Sequence, residues 1–224
     1  MMDIFSSFDP ATSSLFNISP SLFWAMNLLT ILLITPTFWT APNSTFWILS
    51  TPIQIMSQQV NRTNASNMKG LASLLVPLFL FIISINFMGV APYVFSSSSH
   101  LLFTFALGLP LWLGLILSSA TFSPTSTLAA LLPGGAPAWL NPFLILIETI
   151  STLVRPVTLS VRLAANMSAG HIVLTLVGVY FTYAFFASNI PATLFLFFIQ
   201  AGYTLFEMGI CLIQAYIFCL LLSL

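Results

Sequence analysis

An all-α integral membrane protein is the fold class this chain predicts, and three observations predict it. Only 4% of its 224 residues are charged, 58% are hydrophobic, and the mean hydropathy is +1.06. So few polar side chains cannot clothe a soluble globule. Four cations balance four anions, which argues against a basic nucleic-acid surface or a polybasic lipid patch. About five transmembrane helices and one amphipathic surface helix are expected, forming a single membrane domain over 1–224, with the last two helices long, strongly tilted and paired as a hairpin.

The first span is residues 13–34, long enough at 1.5 Å per residue to cross about 30 Å of hydrocarbon, and Pro36 ends it. Residues 44–67 are amphipathic: Phe46, Trp47, Ile48, Ile53 and Ile55 precede Gln58, Gln59, Asn61, Arg62 and Asn64. That pattern predicts a segment lying on the membrane surface. The second span, 71–90, closes near Pro92, and a Ser-rich loop at 96–99 leads into the third span, 100–122. The Pro133-Gly134-Gly135-Ala136-Pro137 cluster makes 124–137 read as a helix-breaking connection. Asn141 and Pro142 then read as an N-cap and first helical residue. Apolar character continues to 187, about 70 Å if helical, so this helix (141–187) must tilt. A turn at Ser188-Asn189-Ile190-Pro191 leads to a second over-long helix, 191–222, and the two are expected to slant together.

Five spans put the termini on opposite sides. Arg62 and Lys69 bias their loop inward by the positive-inside rule, so the N-terminus, with Asp3 and Asp9, lies outside and the C-terminus inside. The opening MMDIFSSFDPATSS has no Lys or Arg, arguing against a secretory signal or a transit peptide. Cys211 and Cys219 lie about 12 Å apart along one predicted helix, too far for a disulfide, and read as packing residues.

The chemistry lies in the charges of the last two helices. Arg162 stands in a stretch that otherwise reads as membrane. Its guanidinium stays protonated at any accessible pH, and holding it at the bilayer centre costs about 2.5 to 3.5 kcal/mol or more. A partner anion or a water cavity is therefore implied. Glu148, Arg155 and Arg162 are spaced by sevens and fall within about 60° of one another, with Ser151, Thr158, Asn166 and Ala169 on the same stripe. His171, nine residues beyond Arg162, points about 180° away. The final helix presents Gln200, Tyr203, Glu207, Cys211 and Gln214 on one face. Packed antiparallel, the two helices can pool Arg162, Asn166 and His171 with Glu207 and Gln214. The small residues Ala164, Ala165, Ser168, Ala169 and Gly170 permit close approach, and Pro156 removes a backbone donor and bends the helix. Arg155 reads either as a snorkelling arginine near the inner interface or as a further member of the site.

Ile147-Glu148-Thr149-Ile150-Ser151, Arg155-Pro156, Val161-Arg162-Leu163-Ala164-Ala165-Asn166, Ala169-Gly170-His171, and Glu207 with Leu212-Ile213-Gln214-Ala215-Tyr216 follow one another in order. In these motifs the chain resembles subunit a of F-type ATP synthase in its animal mitochondrial form, strongly from about 137 to 221, with the N-terminal half agreeing in length and pattern. The resemblance implies a stator in the mitochondrial inner membrane. It would feed protons to a rotating c-ring of hairpin subunits, each with a buried carboxyl, and contact the peripheral stalk, other Fo subunits and the lipid bilayer. It implies an N-terminus in the intermembrane space and a C-terminus in the matrix. Arg162 becomes the partner of the ring carboxylates and the barrier to proton leak. His171, Glu207, Asn166 and Gln214 are assigned to the outer half-channel and Glu148 to the inner one. No cofactor, metal, nucleic acid or small-molecule substrate other than protons is expected, and the subunit makes no ATP on its own. Two competing readings use the same charges: a stand-alone proton or ion transporter, against which the chain shows no internal repeat, and a structural membrane subunit of a respiratory complex.

Overall fold

The computed structural model describes residues 44–63, 66, 68–91, 94, 96–132, 138–188 and 190–223, together with Phe8, Ser21, Trp24 and Ala25; among these there is no strand. The expected first span, 13–34, lies outside the described residues apart from those three scattered positions, as does the 133–137 loop. Six α-helices are described: α1 (Ser44–Arg62), α2 (Leu71–Val90), α3 (Leu101–Phe122), α4 (Pro124–Ala130), α5 (Asn141–Phe186) and α6 (Ile190–Ser223), with 3-10 turns at Ser97–Ser99 and Ala138–Leu140. Helices α2, α3, α5 and α6 are each long and apolar enough to cross a membrane. In lipid, backbone groups must be satisfied within the segment, which is why such apolar runs become helices.

The start of the 124–137 segment departs from its reading as a connection, because Pro124–Ala130 is helical. Proline breaks a helix from within, but at the first position its missing N–H is one of those that lack a partner anyway. Thr127 N–H donates to the Ser123 carbonyl at 3.2 Å and closes the first turn. Helix α2 is entered through Gly70, whose φ of 91° suits glycine and strains other residues. The step from α5 to α6 uses Ser188 at φ 53°, with the amides of Ala187 and Ser188 donating to the carbonyls of Tyr183 and Phe185. At 46 residues, α5 runs about 69 Å and exceeds the hydrocarbon thickness about twofold.

The chain forms two compact units, Met1–His100 with Ala165–Leu224, and Leu101–Ala164. In the first, α2 packs chiefly on α6, and α1 meets both. Met56 and Val60 of α1, Leu75, Phe79, Ile82 and Ile85 of α2, and Cys211, Ala215, Phe218, Cys219 and Leu222 of α6 form its core. Their spacing of three, four and seven puts each set on one helix face. Both thiols are free and buried. Cys219 Sγ points at the Leu75 carbonyl (3.9 Å) and Cys211 Sγ at the Asn86 carbonyl (4.0 Å), so α2 and α6 run antiparallel.

The second unit contains α3, α4 and the first part of α5. Pro156, Leu159, Ser160, Leu163 and Ala164 form the buried face of α5 here, while Val161 and Arg162 are exposed. Ser160 Oγ donates to the Thr104 carbonyl of α3 at 3.2 Å, and both residues are fully buried.

Candidate functional site

Within the first unit, α5 and α6 bring three polar side chains together. Asn166 Nδ2 donates to Gln214 Oε1 at 3.0 Å across the two helices. One turn earlier on α6, Cys211 Sγ lies 3.5 Å from Met167 Sδ, and the Met167 methyl occupies space left by Gly89, where a Cβ would come within 3.3 Å of it. These contacts set the approach of α5 to α6 beside the amide pair.

Glu207 sits seven residues before Gln214, on the same face of α6, and is only 2% exposed. Neither carboxylate oxygen has a hydrogen-bond partner among the described residues. Its place depends on Gly170: a Cβ there would overlap Glu207 Oε1 and lie 2.8 Å from Cδ. Asn166, Ala169, Gly170, Tyr203, Glu207 and Gln214, with Ile210 and Ile213, line a cavity of about 340 Å³, room for several waters. A carboxylate without a protein donor is costly in such surroundings unless water reaches it or it takes up a proton. The geometry suits a carboxyl that exchanges protons with water admitted to this cavity.

His171 follows Gly170 but does not line this cavity. Consecutive helical residues diverge by about 100°, and the imidazole instead meets Phe8 edge-on, with ring centroids 6.2 Å apart. Its Nε2 is buried without a hydrogen-bond partner among the described residues. In the second unit, Glu148 is half-buried, and Ser151, Arg155, Thr158 and Arg162 are exposed along one stripe of α5. The hydroxyl of Thr158 donates to the Arg155 carbonyl at 2.9 Å, leaving the guanidinium of Arg155 outside that bond.

Sequence reasoning passed over Asn86, which is fully buried in α2 with neither amide atom partnered among the described residues. The signal was present, since it is the lone amide in a span whose only other polar side chains are two serines, Ser73 and Ser84. In sequence Gly170 reads only as one of a run of small residues, yet Glu207 needs its missing Cβ. Among the described residues, no group of three or more His, Cys, Asp or Glu side chains is arranged to hold a metal ion.

A family profile described as ATP synthase A chain matches residues 20–224. The chain is 38% identical over 224 residues to the ATP synthase subunit a of Artemia franciscana, covering 100% of this chain and 98% of that protein. It is 39% identical over 226 residues to the ATP synthase subunit a of Drosophila melanogaster (100% and 97% covered). It is 35% identical over 223 residues to the ATP synthase F(0) complex subunit a of Rhopalosiphum padi (99% and 97% covered).

Proposed function

The chain belongs to the ATP synthase A chain family, and from that premise we propose that it is the proton-translocating stator of an Fo sector in the mitochondrial inner membrane, working against a c-ring. The observation that carries this reading is the Glu207 carboxylate, buried in an apolar helix yet facing a cavity it shares with Asn166 and Gln214. A merely structural acid at that depth would be expected to have a donor, whereas one that loads and unloads protons needs water access.

In the synthesis direction, a proton enters from the outer side, is held in turn by Glu207 and water near Asn166 and Gln214, and passes to a ring carboxylate. His171, one residue past the cavity wall, serves the same outer half-channel through its imidazole. The neutral carboxyl rotates through lipid and holds its proton there, because low dielectric disfavours its charge. On return it meets Arg162, where opposite charges about 4 Å apart gain about 4 kcal/mol at an effective dielectric of about 20. The carboxyl then releases its proton into an inner half-channel that includes Glu148. Arg162 cannot accept that proton, so it also separates the two half-channels. Each charge crossing the membrane yields about 2.3 kcal/mol per 100 mV. The N-terminus lies in the intermembrane space and the C-terminus in the matrix. Arg155, exposed beside the buried Pro156, is assigned to the inner interface.

Arg162→Ala in the assembled complex tests this reading. The expected result is loss of ATP-driven proton pumping with new passive leak in membrane vesicles. Normal coupled pumping would overturn the stator mechanism.

A further inference from the structure

We propose that Ser160 is a positioning residue for Arg162: its hydroxyl, bonded to the backbone of α3, sets the rotation of α5 that turns the arginine outward. The proposal rests on the reading of Arg162 as the partner of the ring carboxylates. Ser160 Oγ donates to the Thr104 carbonyl at 3.2 Å, and neither residue has exposed surface. A carbonyl oxygen has two lone pairs, so this bond can coexist with the one in the α3 ladder. Because the acceptor is a backbone carbonyl, Ser160 is necessarily the donor, and the hydroxyl of Thr104 makes its own bond to the Leu101 carbonyl at 3.0 Å.

Two residues along an α-helix are about 200° apart, so a clamp at 160 lies opposite 162. The pattern of exposure agrees: Pro156, Leu159, Ser160, Leu163 and Ala164 are buried, and Arg162 is exposed. The other buried residues on that face are apolar. In a bilayer, apolar helix contacts lack the hydrophobic drive that would fix one rotation, because lipid tails are equally apolar. A hydrogen bond from a short side chain to a backbone oxygen is directional and leaves little freedom to roll. A small roll of α5 would swing the far end of the long arginine side chain away from its target.

The test uses the assembled complex with Arg162→Ala, Ser160→Ala and Ser160→Thr. It reads ATP-driven pumping, passive leak and the rate at which a hydrophobic carbodiimide modifies the ring carboxyl as pH is raised. The carbodiimide attacks the protonated acid, so weaker engagement by Arg162 carries labelling to higher pH. Ser160→Ala should assemble normally, lose about threefold in coupled pumping if the average interhelical hydrogen-bond strength in membranes falls on the positioning of Arg162, and displace the labelling profile upward. Ser160→Thr, which keeps the hydroxyl, should restore both. Unchanged pumping and labelling in Ser160→Ala, with pumping abolished in Arg162→Ala, would overturn this proposal alone. Normal pumping in Arg162→Ala would overturn the reading beneath it. If Ser160→Ala does not assemble, Ser160→Cys keeps the size with a weaker donor, and an unaltered profile there would overturn the proposal. Loss of assembly in both would do the same, since the residue would then be a packing element.

Discussion

Charge in lipid makes some residues conspicuous and leaves their supports invisible. Arg162, Glu148 and Glu207 stand out in the sequence because few residues in apolar spans are ionisable, and Asn166 and Gln214 stand out by sharing their faces. Gly170 carries no such mark, yet its missing Cβ leaves room for the Glu207 carboxylate. Gly170→Ala is therefore expected to displace that carboxylate or to cost about 1 to 3 kcal/mol in overpacking. If that cost falls on the proton-loading step, proton pumping should fall about fivefold or more with assembly intact, about 1.4 kcal/mol being one factor of ten. Adding Glu207→Asp, which withdraws the carboxylate by one carbon, should recover part of the loss. Unimpaired pumping in Gly170→Ala would mean that the position of Glu207 is not used. The separation of His171 from the cavity was legible in part: periodicity turns it away from the stripe that carries Asn166 and Ala169, but does not identify Phe8 as its neighbour.

Helices were more legible than their ends and contacts. Long charge-poor runs become helices for want of any other way to satisfy the backbone in lipid, and the runs at 71–90 and 100–122 contain α2 and α3 accordingly. Helix α4 was hidden because proline reads as a breaker, and its role as a first helical residue depends on the turn that precedes it. Between α5 and α6, sequence placed Asn166 and Gln214 on usable faces, and the structure supplies the bond between them. A double-mutant cycle with Asn166→Leu and Gln214→Leu, read as thermal stability of the assembled sector, should give a coupling of about 0.6 kcal/mol and no more than about 1.7 kcal/mol. Both single variants should also slow pumping, because each removes an amide from the wall of the Glu207 cavity. Additive effects within error would show that the two amides act separately.

At the scale of the whole molecule, the fold class followed from composition alone, because a chain this poor in polar residues has only helical bundles available across a bilayer. What composition could not reveal is where the charged groups would be covered. Arg155 and Arg162 lie exposed on α5 in this chain by itself, whereas a self-contained transporter would be expected to enclose such charges within its own bundle. On the proposed reading, the exposed guanidinium of Arg162 meets the buried carboxyls of the ring. The chain reconstituted alone in liposomes is therefore expected to carry no proton flux under an imposed potassium diffusion potential, although each 100 mV offers about 2.3 kcal/mol per charge. The same chain in a complete membrane sector with its ring, stripped of the catalytic head, should conduct protons, and carbodiimide modification of the ring should stop it. The contrast separates the two readings because a channel complete in itself needs no second proton carrier, whereas a stator divided by Arg162 into two half-paths conducts only when a moving carboxyl bridges them. Flux through the chain alone, at a rate matching the complete sector and insensitive to carbodiimide, would make it a channel in its own right and leave the exposed arginine to pair with lipid phosphate instead.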